Sequence, residues 1–307
     1  MMTQPASTAN VGFIGIGTMG REMALNLAKA GHRVTAYDVR REAVDALAGA
    51  GIRAGVNVAE VAAGADVVIT MLPDTPDVEA VVYGDGGLLA HPPSGRLVID
   101  MSTIAPDSVR RMHADLARVG VAFVDAPVSG GPLGAKNATL SIMAGGDAPA
   151  FEQARPFFAG MGTTITHVGA SGAGQTVKLC NQLICGVNIQ AICEALALGR
   201  AAGVDLHQLR TVLLGGSAAS WMLDKLGTAM IEGDASAGFR IDLMLKDLRL
   251  VQQQAQAQNV PLPATALVTT QYLDARAHGE GCNGNQALFR VYDRMSGQVR
   301  PSKASAP

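Results

Sequence analysis

A single lysine stands at the start of a long apolar stretch, among side chains that suit acid–base chemistry. Lys178 lies in "GAGQTVKLCNQ" (172–182), and the stretch after it, "LCNQLICGVNIQAICEALALG", carries almost no charge. In a helix, Lys178, Asn181 and Gln182 fall on one face and would reach one cleft together. A lysine in an apolar pocket holds its proton less tightly and can release it near neutral pH. Lys178 is therefore a candidate proton donor for carbonyl reduction, and a lysine that snorkels to solvent is the alternative.

A glycine pattern near the N-terminus indicates a nucleotide site. "IGIGTMGREMALNLAKAG" follows an apolar run and opens a helical pattern. Its GxGxxG spacing suits a tight turn, the close approach of a pyrophosphate and the packing of helix on strand. The amides and the positive dipole end of the helix N-terminus suit phosphates. The predicted cofactor loop comprises Gly15, Gly17, Thr18, Met19 and Gly20.

The end of the second strand candidate bears on which dinucleotide is bound. Asp38 lies where a carboxylate accepts hydrogen bonds from ribose hydroxyls, and it would repel a 2′-phosphate, which favours NAD over NADP. Arg40 and Arg41 follow directly and could clamp that phosphate, so NADP stays open. Both arginines could instead be solvated charges at a helix start.

Later strand ends add further candidate contacts. Ligands of such folds lie beyond the carboxyl ends of the strands, so "MLPD" (71–74) and "MSTIAPDS" (101–108) would line the ribose and nicotinamide. The candidates there are Leu72, Pro73, Ser102 and Thr103. Ser102 or Thr103 could instead cap the helix that begins near Asp107.

Two other segments carry polar groups suited to ligands. Ser129, Gly130 and Gly131 follow a strand candidate and offer a hydroxyl and unshielded amides for a carboxylate or phosphate, although such a segment can also be a plain turn. In "MLKDLRL" (244–250), Lys246 could reach the cofactor while Asp247 pairs with the scaffold. Neighbouring Lys and Asp residues are common on surfaces, so this second signal is weak by itself.

The pattern of elements predicts how these groups are positioned. The first half alternates β-branched runs with helical stretches, which indicates βαβ units, a parallel sheet and a Rossmann-type α/β fold. The second half shows helical patterns only, over 175–203, 206–214, 219–230, 241–258, 264–278 and 285–296. The predicted strands are 11–15, 33–38, 66–72, 96–102, 122–128 and 140–146, with a further run at 165–169. The predicted organisation is a flexible leader (1–10), a Rossmann dinucleotide-binding domain (11–172), an all-helical substrate and oligomerisation domain (173–298) and a flexible tail (299–307).

Composition excludes several classes of function. The 307 residues are 48% hydrophobic and 16% charged, with a net charge of −2, so nothing favours nucleic acid or an anionic membrane. No uninterrupted apolar run reaches the length of a bilayer, and no secretory signal begins the chain, so we expect a cytoplasmic protein. The cysteines show neither metal-ligand spacing nor a disulfide framework, so no metal is expected.

Together the motifs resemble the β-hydroxyacid dehydrogenase family over roughly residues 11–298. The resemblance rests on the glycine loop, on "DAPVSGGPLGAKNATLSIMAGG", on "GAGQTVKLCNQ" and on "KDL". It implies that Lys178 is the general acid and base, that Lys246 and Thr103 touch the cofactor, and that the protein is a homodimer or homotetramer. It also implies substrate binding by Ser129, Gly130, Gly131, Asn181 and Gln182.

Details within the family favour an NAD(H)-dependent enzyme that interconverts a short 3-hydroxy carboxylate and its semialdehyde. "KLCNQ", "LLGGSAAS" (213–220) and "FRIDLMLKDL" (239–248) look most like tartronate semialdehyde reductases, which form glycerate. Open alternatives are a 3-hydroxyisobutyrate dehydrogenase, an NADPH-dependent glyoxylate or succinic semialdehyde reductase, an imine reductase, which Lys178 disfavours, and a non-catalytic NAD(H)-binding protein. The stretch 284–287 departs from the Asp-x-Ser-Ala segment of many members, which leaves the substrate side chain open. We expect loops of the helical domain, such as 215–222 and 234–240, to set that side chain.

Overall fold

The computed structural model describes residues 8–297. Most of the predicted leader (1–10) and the whole predicted tail (299–307) lie outside the described residues. The chain divides into two compact units between Lys178 and Leu179, inside one long helix. The sequence prediction placed this boundary between 172 and 173, at the start of that helix.

The first unit contains a mixed nine-stranded sheet with the order β3-β2-β1-β4-β5-β6-β8-β7, and β9 pairs with β8. The strands from β3 to β6 in this order run parallel, whereas β8 pairs antiparallel with β6 and β7. The strands are β1 Asn10–Ile14, β2 Arg33–Tyr37, β3 Arg53–Ala54, β4 Val67–Thr70, β5 Leu97–Asp100, β6 Ala122–Asp125, β7 Val128–Ser129, β8 Leu140–Gly145 and β9 Gly162–Gly169.

Helices cover both faces of this sheet. Alternate residues of a strand point to opposite faces, and here both faces are apolar: Phe13 and Ile69 lie in one buried cluster, Ile14 and Val68 in another. Burial on both faces explains why the strands read as continuous apolar runs. The helices are α1 Thr18–Lys29, α2 Arg41–Asp45, α3 Val58–Ala63, α4 Thr75–Tyr83, α5 Pro106–Arg118, α6 Gly131–Lys136 and α7 Ala148–Ala159.

The sheet differs from the sequence prediction in three places. The short strand β3 was not predicted, because two residues carry no periodicity. The predicted strand 122–128 is two strands, β6 and β7, and Pro127 between them has no N–H for a ladder. Strands β8 and β9 run opposite to the other strands and make the sheet mixed, where the alternation of elements predicted a parallel one.

The second unit is helical, as predicted. Its helices pack around a buried cluster that includes Leu196, Leu248, Tyr272 and Phe289. Helix α8 (Ala173–Ala201) begins in the first unit, and the remaining helices are α9 Leu206–Leu214, α10 Trp221–Glu232, α11 Ile241–Ala257, α12 Pro263–Ala277 and α13 Phe289–Met295, the last preceded by a 3-10 turn, Asn285–Leu288.

Helix α8 bears on the expectation that no segment of the chain crosses a membrane. Among the described residues it is the one helix long and apolar enough to cross a membrane by length and composition, although no such span was predicted. The sequence argument required an uninterrupted apolar run, and Asn181 and Gln182 interrupt this one. Part of the helix packs in the core of the second unit, where Ile189, Cys193 and Leu196 are buried.

Candidate active site

The glycines of the cofactor loop have different structural tasks. Gly15 has φ of 98°, and a Cβ there or at Gly20 would overlap backbone carbonyl oxygens, of Met71 and Gly15 respectively. The fold itself therefore requires these two glycines. A Cβ at Gly17 would meet nothing within 4 Å. Gly17 precedes α1 directly, so its open side is where a phosphate can approach the helix N-terminus.

A cleft of about 550 Å³ lies in front of this loop. Gly17 and Thr18 line it, together with the cations Arg21, Arg40 and Lys136. One carboxylate, that of Glu22, also lines the cleft and pairs with Arg21 over 2.9 Å. A cleft with three cations and a helix N-terminus suits the two negative charges of a pyrophosphate. The residues present therefore fit a dinucleotide.

Asp38 lies beside the loop, but its oxygens already have partners. The N–H of Ile16 donates to it over 2.8 Å, the N–H of Arg40 over 2.9 Å, and the Arg40 guanidinium lies 3.3 Å away. Burial alone raises the pKa of this carboxyl, but the hydrogen bonds from Arg40 and Ile16 outweigh it and hold the pKa below its usual range. Asp38 is thus ionised at neutral pH and pairs with the arginine that was considered for a 2′-phosphate.

A buried hydroxyl joins the ends of strands β4 and β5. The Ser102 hydroxyl accepts the N–H of Leu72 over 2.9 Å and donates to Asp100 over 2.6 Å. Ser102 is buried, whereas Pro73 is exposed and Thr103 is half-buried. Neither Ser102 nor Thr103 caps α5, whose N-cap is Ala105. Contacts of Leu72, Pro73, Ser102 and Thr103 with a cofactor stay predictions, and Ser102 holds the scaffold beneath them.

The predicted carboxylate loop has the backbone that its glycines suggest. Ser129 ends β7 opposite Ser141, and α6 begins at Gly131. Gly130 and Gly131 have φ of 131° and 61°, in the region that favours glycine. All three residues are half-buried, so their polar groups border both protein and solvent. Binding of a substrate carboxylate here stays a prediction.

Lys178 is buried, with 6% of its surface exposed, near the start of α8. The helix start is held by a residue that the sequence reasoning missed. The Asp125 carboxylate, at the end of β6, accepts the N–H of Gly172 over 2.8 Å and that of Gln175 over 2.9 Å. Lys178 follows Gln175 by three residues, close to one helical turn. The lysine therefore sits one turn beyond a buried carboxylate.

Burial dominates the titration of Asp125. It raises the pKa of this carboxyl to about 6, and the nearby Asp100 acts in the same direction, against the hydrogen bonds from Gly172 and Gln175. A buried carboxylate at the helix start is thus ionised only in part at slightly acidic pH.

We expect this raised pKa to make the unfolding free energy depend on pH. The folded protein keeps a proton on Asp125 that the unfolded chain releases above 3.8, so this stabilisation is fully present below 3.8 and is lost as pH rises through about 6. The difference corresponds to about 3 kcal/mol. Urea unfolding of the wild type and Asp125→Asn from about pH 4 to pH 7 should show the variant gaining relative stability as pH rises. A constant difference would contradict the raised pKa.

In the second unit, the other predicted residues form one cluster around two buried side chains, Gln182 and Asp247. Asp247 accepts the side-chain amide of Gln182 over 2.5 Å and pairs with Lys246 over 2.8 Å. Asn181 donates to the Gln182 side-chain oxygen over 2.8 Å. Asp247 thus joins two predicted site residues, which goes beyond the scaffold pairing expected of it. Contact of Lys246 with a cofactor, and of Asn181 and Gln182 with substrate, stays a prediction.

The segment that departs from the family pattern packs against one of the loops expected to set the substrate, 234–240. The Gln286 side-chain amide donates to the carbonyl of Ser236 over 2.8 Å, and the Asn285 N–H donates to the carbonyl of Phe239 over 2.9 Å. Asn285 and Gln286 are both buried. Gly284 thus stands where many members have the aspartate, and the loop is held by the Gln286 side chain, at the serine position, and by the Asn285 backbone.

Asp100, Asp125 and Gln175 are the supporting residues that sequence reasoning missed. Each had a visible signal. Both aspartates end apolar strands, where a buried acid needs a partner, and Gln175 lies inside the quoted lysine motif. The sequence did not show that these distant segments contact one another.

Comparison with known proteins agrees with this geometry. Residues 10–169 match the family model of the NAD-binding domain of 6-phosphogluconate dehydrogenase, and residues 172–292 match the model for NAD-binding of NADP-dependent 3-hydroxyisobutyrate dehydrogenase.

Similar proteins align over nearly the whole chain. The NAD-dependent L-serine dehydrogenase of Pseudomonas aeruginosa is 41% identical over 94% of this chain and 99% of its own. The 2-hydroxy-3-oxopropionate reductase of Escherichia coli is 39% identical over 93% and 98%. The structure of Mycobacterium tuberculosis 3-hydroxyisobutyrate dehydrogenase with L-serine is 34% identical, with a TM-score of 0.84 over 92% of this chain and 99% of that one. This chain therefore belongs to the 3-hydroxyisobutyrate dehydrogenase-like family of NAD-dependent 3-hydroxyacid dehydrogenases.

Proposed function

We propose that the enzyme interconverts a short 3-hydroxy carboxylate and its semialdehyde, with glycerate and tartronate semialdehyde as the preferred pair. The observation that carries the proposal is the buried Lys178, one turn into a helix whose N-terminus rests on Asp125. A lysine in this position is desolvated and fixed in place, which suits a group that gives up and regains a proton.

Different residues of the first unit bind the cofactor, transfer the proton and bind the substrate carboxylate. The glycine loop and the cations around the cleft hold the dinucleotide, which supplies or accepts the hydride when bound. Lys178 donates a proton to the alkoxide oxygen as a carbonyl is reduced and removes it in the reverse direction. Ser129, Gly130 and Gly131 bind the substrate carboxylate, which turns the reacting carbon toward the hydride.

The preferred substrate is argued from relatives as well as from residues. "KLCNQ" and "FRIDLMLKDL" resemble tartronate semialdehyde reductases, and one relative bears the name 2-hydroxy-3-oxopropionate reductase. L-serine is the second candidate, since another relative is named for it. Glycerate and L-serine share three carbons, a carboxylate and a terminal hydroxyl, and differ only at the middle carbon.

A panel of hydroxy acids tests the proposal. Initial rates of NAD⁺ and NADP⁺ reduction would be measured with D-glycerate, L-serine, 3-hydroxyisobutyrate and 4-hydroxybutyrate. Glycerol, which keeps the terminal hydroxyl and lacks the carboxylate, is the matched control. We expect the highest kcat/KM with glycerate and NAD⁺, and no turnover of glycerol.

The pattern of rates separates the alternatives. A preference for L-serine or 3-hydroxyisobutyrate would change the substrate but keep it among short 3-hydroxy carboxylates. A preference for 4-hydroxybutyrate with NADP⁺ would favour a succinic semialdehyde reductase. Equal turnover of glycerol would contradict the carboxylate site, and binding of NADH without turnover of any compound would favour a non-catalytic protein.

We expect Asp38 to set the preference for NAD. Its replacement by Ala removes the charge that repels a 2′-phosphate and releases the Arg40 guanidinium, which lies 3.3 Å from it. The ratio of kcat/KM for NADPH to that for NADH should rise roughly tenfold or more in Asp38→Ala. Arg40→Ala keeps the carboxylate and serves as the control, with a ratio that stays low. An unchanged ratio in Asp38→Ala would restrict Asp38 to holding the loop.

We propose a cytoplasmic homodimer or homotetramer that assembles through the helical unit. Large apolar side chains are exposed there, among them Ile184, Leu198 and Val212. Exposed apolar groups of this size on one unit suit burial against a second copy. Light scattering should give at least twice the mass of one chain, and a monomer at micromolar concentration would contradict the proposal.

A further inference from the structure

Strand β6 and helix α8 meet at a single buried carboxylate. Asp125 has no exposed surface, and each of its oxygens accepts one N–H, from Gly172 or from Gln175. The first N–H groups of a helix have no partners within the helix. Asp125 therefore satisfies the start of α8 from a strand 47 residues earlier in the chain.

Two glycines leave the room that this carboxylate occupies. A Cβ on Gly145, in β8, would lie 2.6 Å from one Asp125 oxygen, and a Cβ on Gly174, in α8, would lie 2.8 Å from the other. Both distances are shorter than atoms in contact allow. At Gly174 a Cβ would also overlap the backbone carbonyl oxygens of Met143 and Asp125, so close backbone packing as well as the carboxylate requires glycine there.

Gln175 makes a second connection from the same turn of α8. Its side chain is fully buried, accepts the N–H of Ile104 over 3.0 Å and donates to the carbonyl of Ser102 over 2.8 Å. The loop 102–105 that it holds contains predicted cofactor contacts. The first turn of α8 is thus fixed both to the end of β6 and to the loop after β5.

We propose that Asp125 and Gln175 are positioning residues that set the height and rotation of α8 and so place the Lys178 ammonium for proton transfer. The proposal rests on the proposed function of Lys178. Burying an ionisable carboxylate at the end of a strand costs free energy. A positioning role gives a reason for accepting that cost. Misplacement of a catalytic group by about 1 Å can lower a rate by roughly 100-fold.

The test is a double-mutant cycle on the full-length enzyme. Asp125→Asn keeps the shape but can accept at one oxygen only, so α8 loses one of its two fixed contacts. We expect kcat to fall roughly 10- to 100-fold, with KM for the hydroxy acid and Kd for NADH within about twofold of wild type. If Asp125 acts through Lys178, the double variant with Lys178→Met should be no slower than Lys178→Met alone.

Two further variants keep the test decisive. Val82→Ala loosens a buried position in α4 and should leave kcat unchanged, which shows that lost stability alone does not lower the rate. Should Asp125→Asn fail to fold, Gln175→Met removes both contacts of the second connection at similar size, and the same fall in kcat is expected.

The outcomes separate the positioning role of Asp125 and Gln175 from the proposed function of Lys178 as proton donor. An unchanged kcat in Asp125→Asn would overturn the positioning role and leave Lys178 as proton donor. The same follows if the fold loss of kcat in the double variant equals the product of the losses in the two single variants. Full turnover by Lys178→Met would overturn the function of Lys178, and the positioning proposal with it.

Discussion

Replacing Lys178 by Met should lower kcat by about three orders of magnitude, within the range of general acid–base catalysis. The substitution keeps an unbranched side chain of similar length in a buried position and removes the proton donor together with its charge. Lys178 is not among the predicted cofactor contacts, so the Kd for NADH should stay within about twofold of wild type. Stopped-flow absorbance for turnover and fluorescence titration for NADH binding would measure the two effects separately.

Lys178→Arg is the matched control for charge. A guanidinium keeps the positive charge but does not release a proton in the neutral range, so this variant should be nearly as slow as Lys178→Met. If Lys178→Arg turned over at the wild-type rate, the charge rather than the proton would be the contribution of Lys178. Wild-type turnover by Lys178→Met would leave the lysine a structural residue.

The same substitution at Gly17 and Gly20 should give opposite results. A Cβ at Gly20 would overlap the carbonyl oxygen of Gly15, whereas a Cβ at Gly17 meets nothing within 4 Å. Gly20→Ala should therefore destabilise the protein by about 3 kcal/mol or more, a fall in Tm of roughly 10 °C. Gly17→Ala should keep the wild-type Tm and raise Kd for NADH roughly tenfold or more, or about 1.4 kcal/mol.

Thermal unfolding without cofactor and NADH titration of both variants make this comparison. Because the two glycines lie three residues apart, each variant controls for the other. Unchanged NADH affinity in Gly17→Ala would show that the open space before α1 is not the pyrophosphate site. A wild-type Tm for Gly20→Ala would show that the loop tolerates the overlap.

Local patterns made much of the fold predictable. The glycine loop, α1 and the aspartate after β2 lie within one short segment, so their geometry follows from turn, strand and helix chemistry. Helix α8 was predicted over 175–203 and spans Ala173–Ala201. The prediction was close because a long, periodic apolar run is typical of a helix. The predicted helix 206–214 matches α9 in full.

Contacts between distant segments could not be derived in this way. The bonds from Gly172 and Gln175 to Asp125 join residues 47 and 50 positions apart, and Asp125 also pairs with Gly145 of the antiparallel strand β8. Helical spacing placed Gln182 on the face of Lys178, but it did not show that Asp247 holds the Gln182 amide. Periodicity predicts the face of a side chain, whereas its partner is set by tertiary packing.

The most direct test of the central claim is reduction of tartronate semialdehyde by the wild-type enzyme. Oxidation of NADH would be followed by absorbance, and the product would be identified and quantified by NMR. We expect rapid loss of NADH with one glycerate formed for each NAD⁺. Binding of NADH with no oxidation by tartronate semialdehyde, nor by methylmalonate semialdehyde, succinic semialdehyde or glyoxylate, would contradict the proposed function.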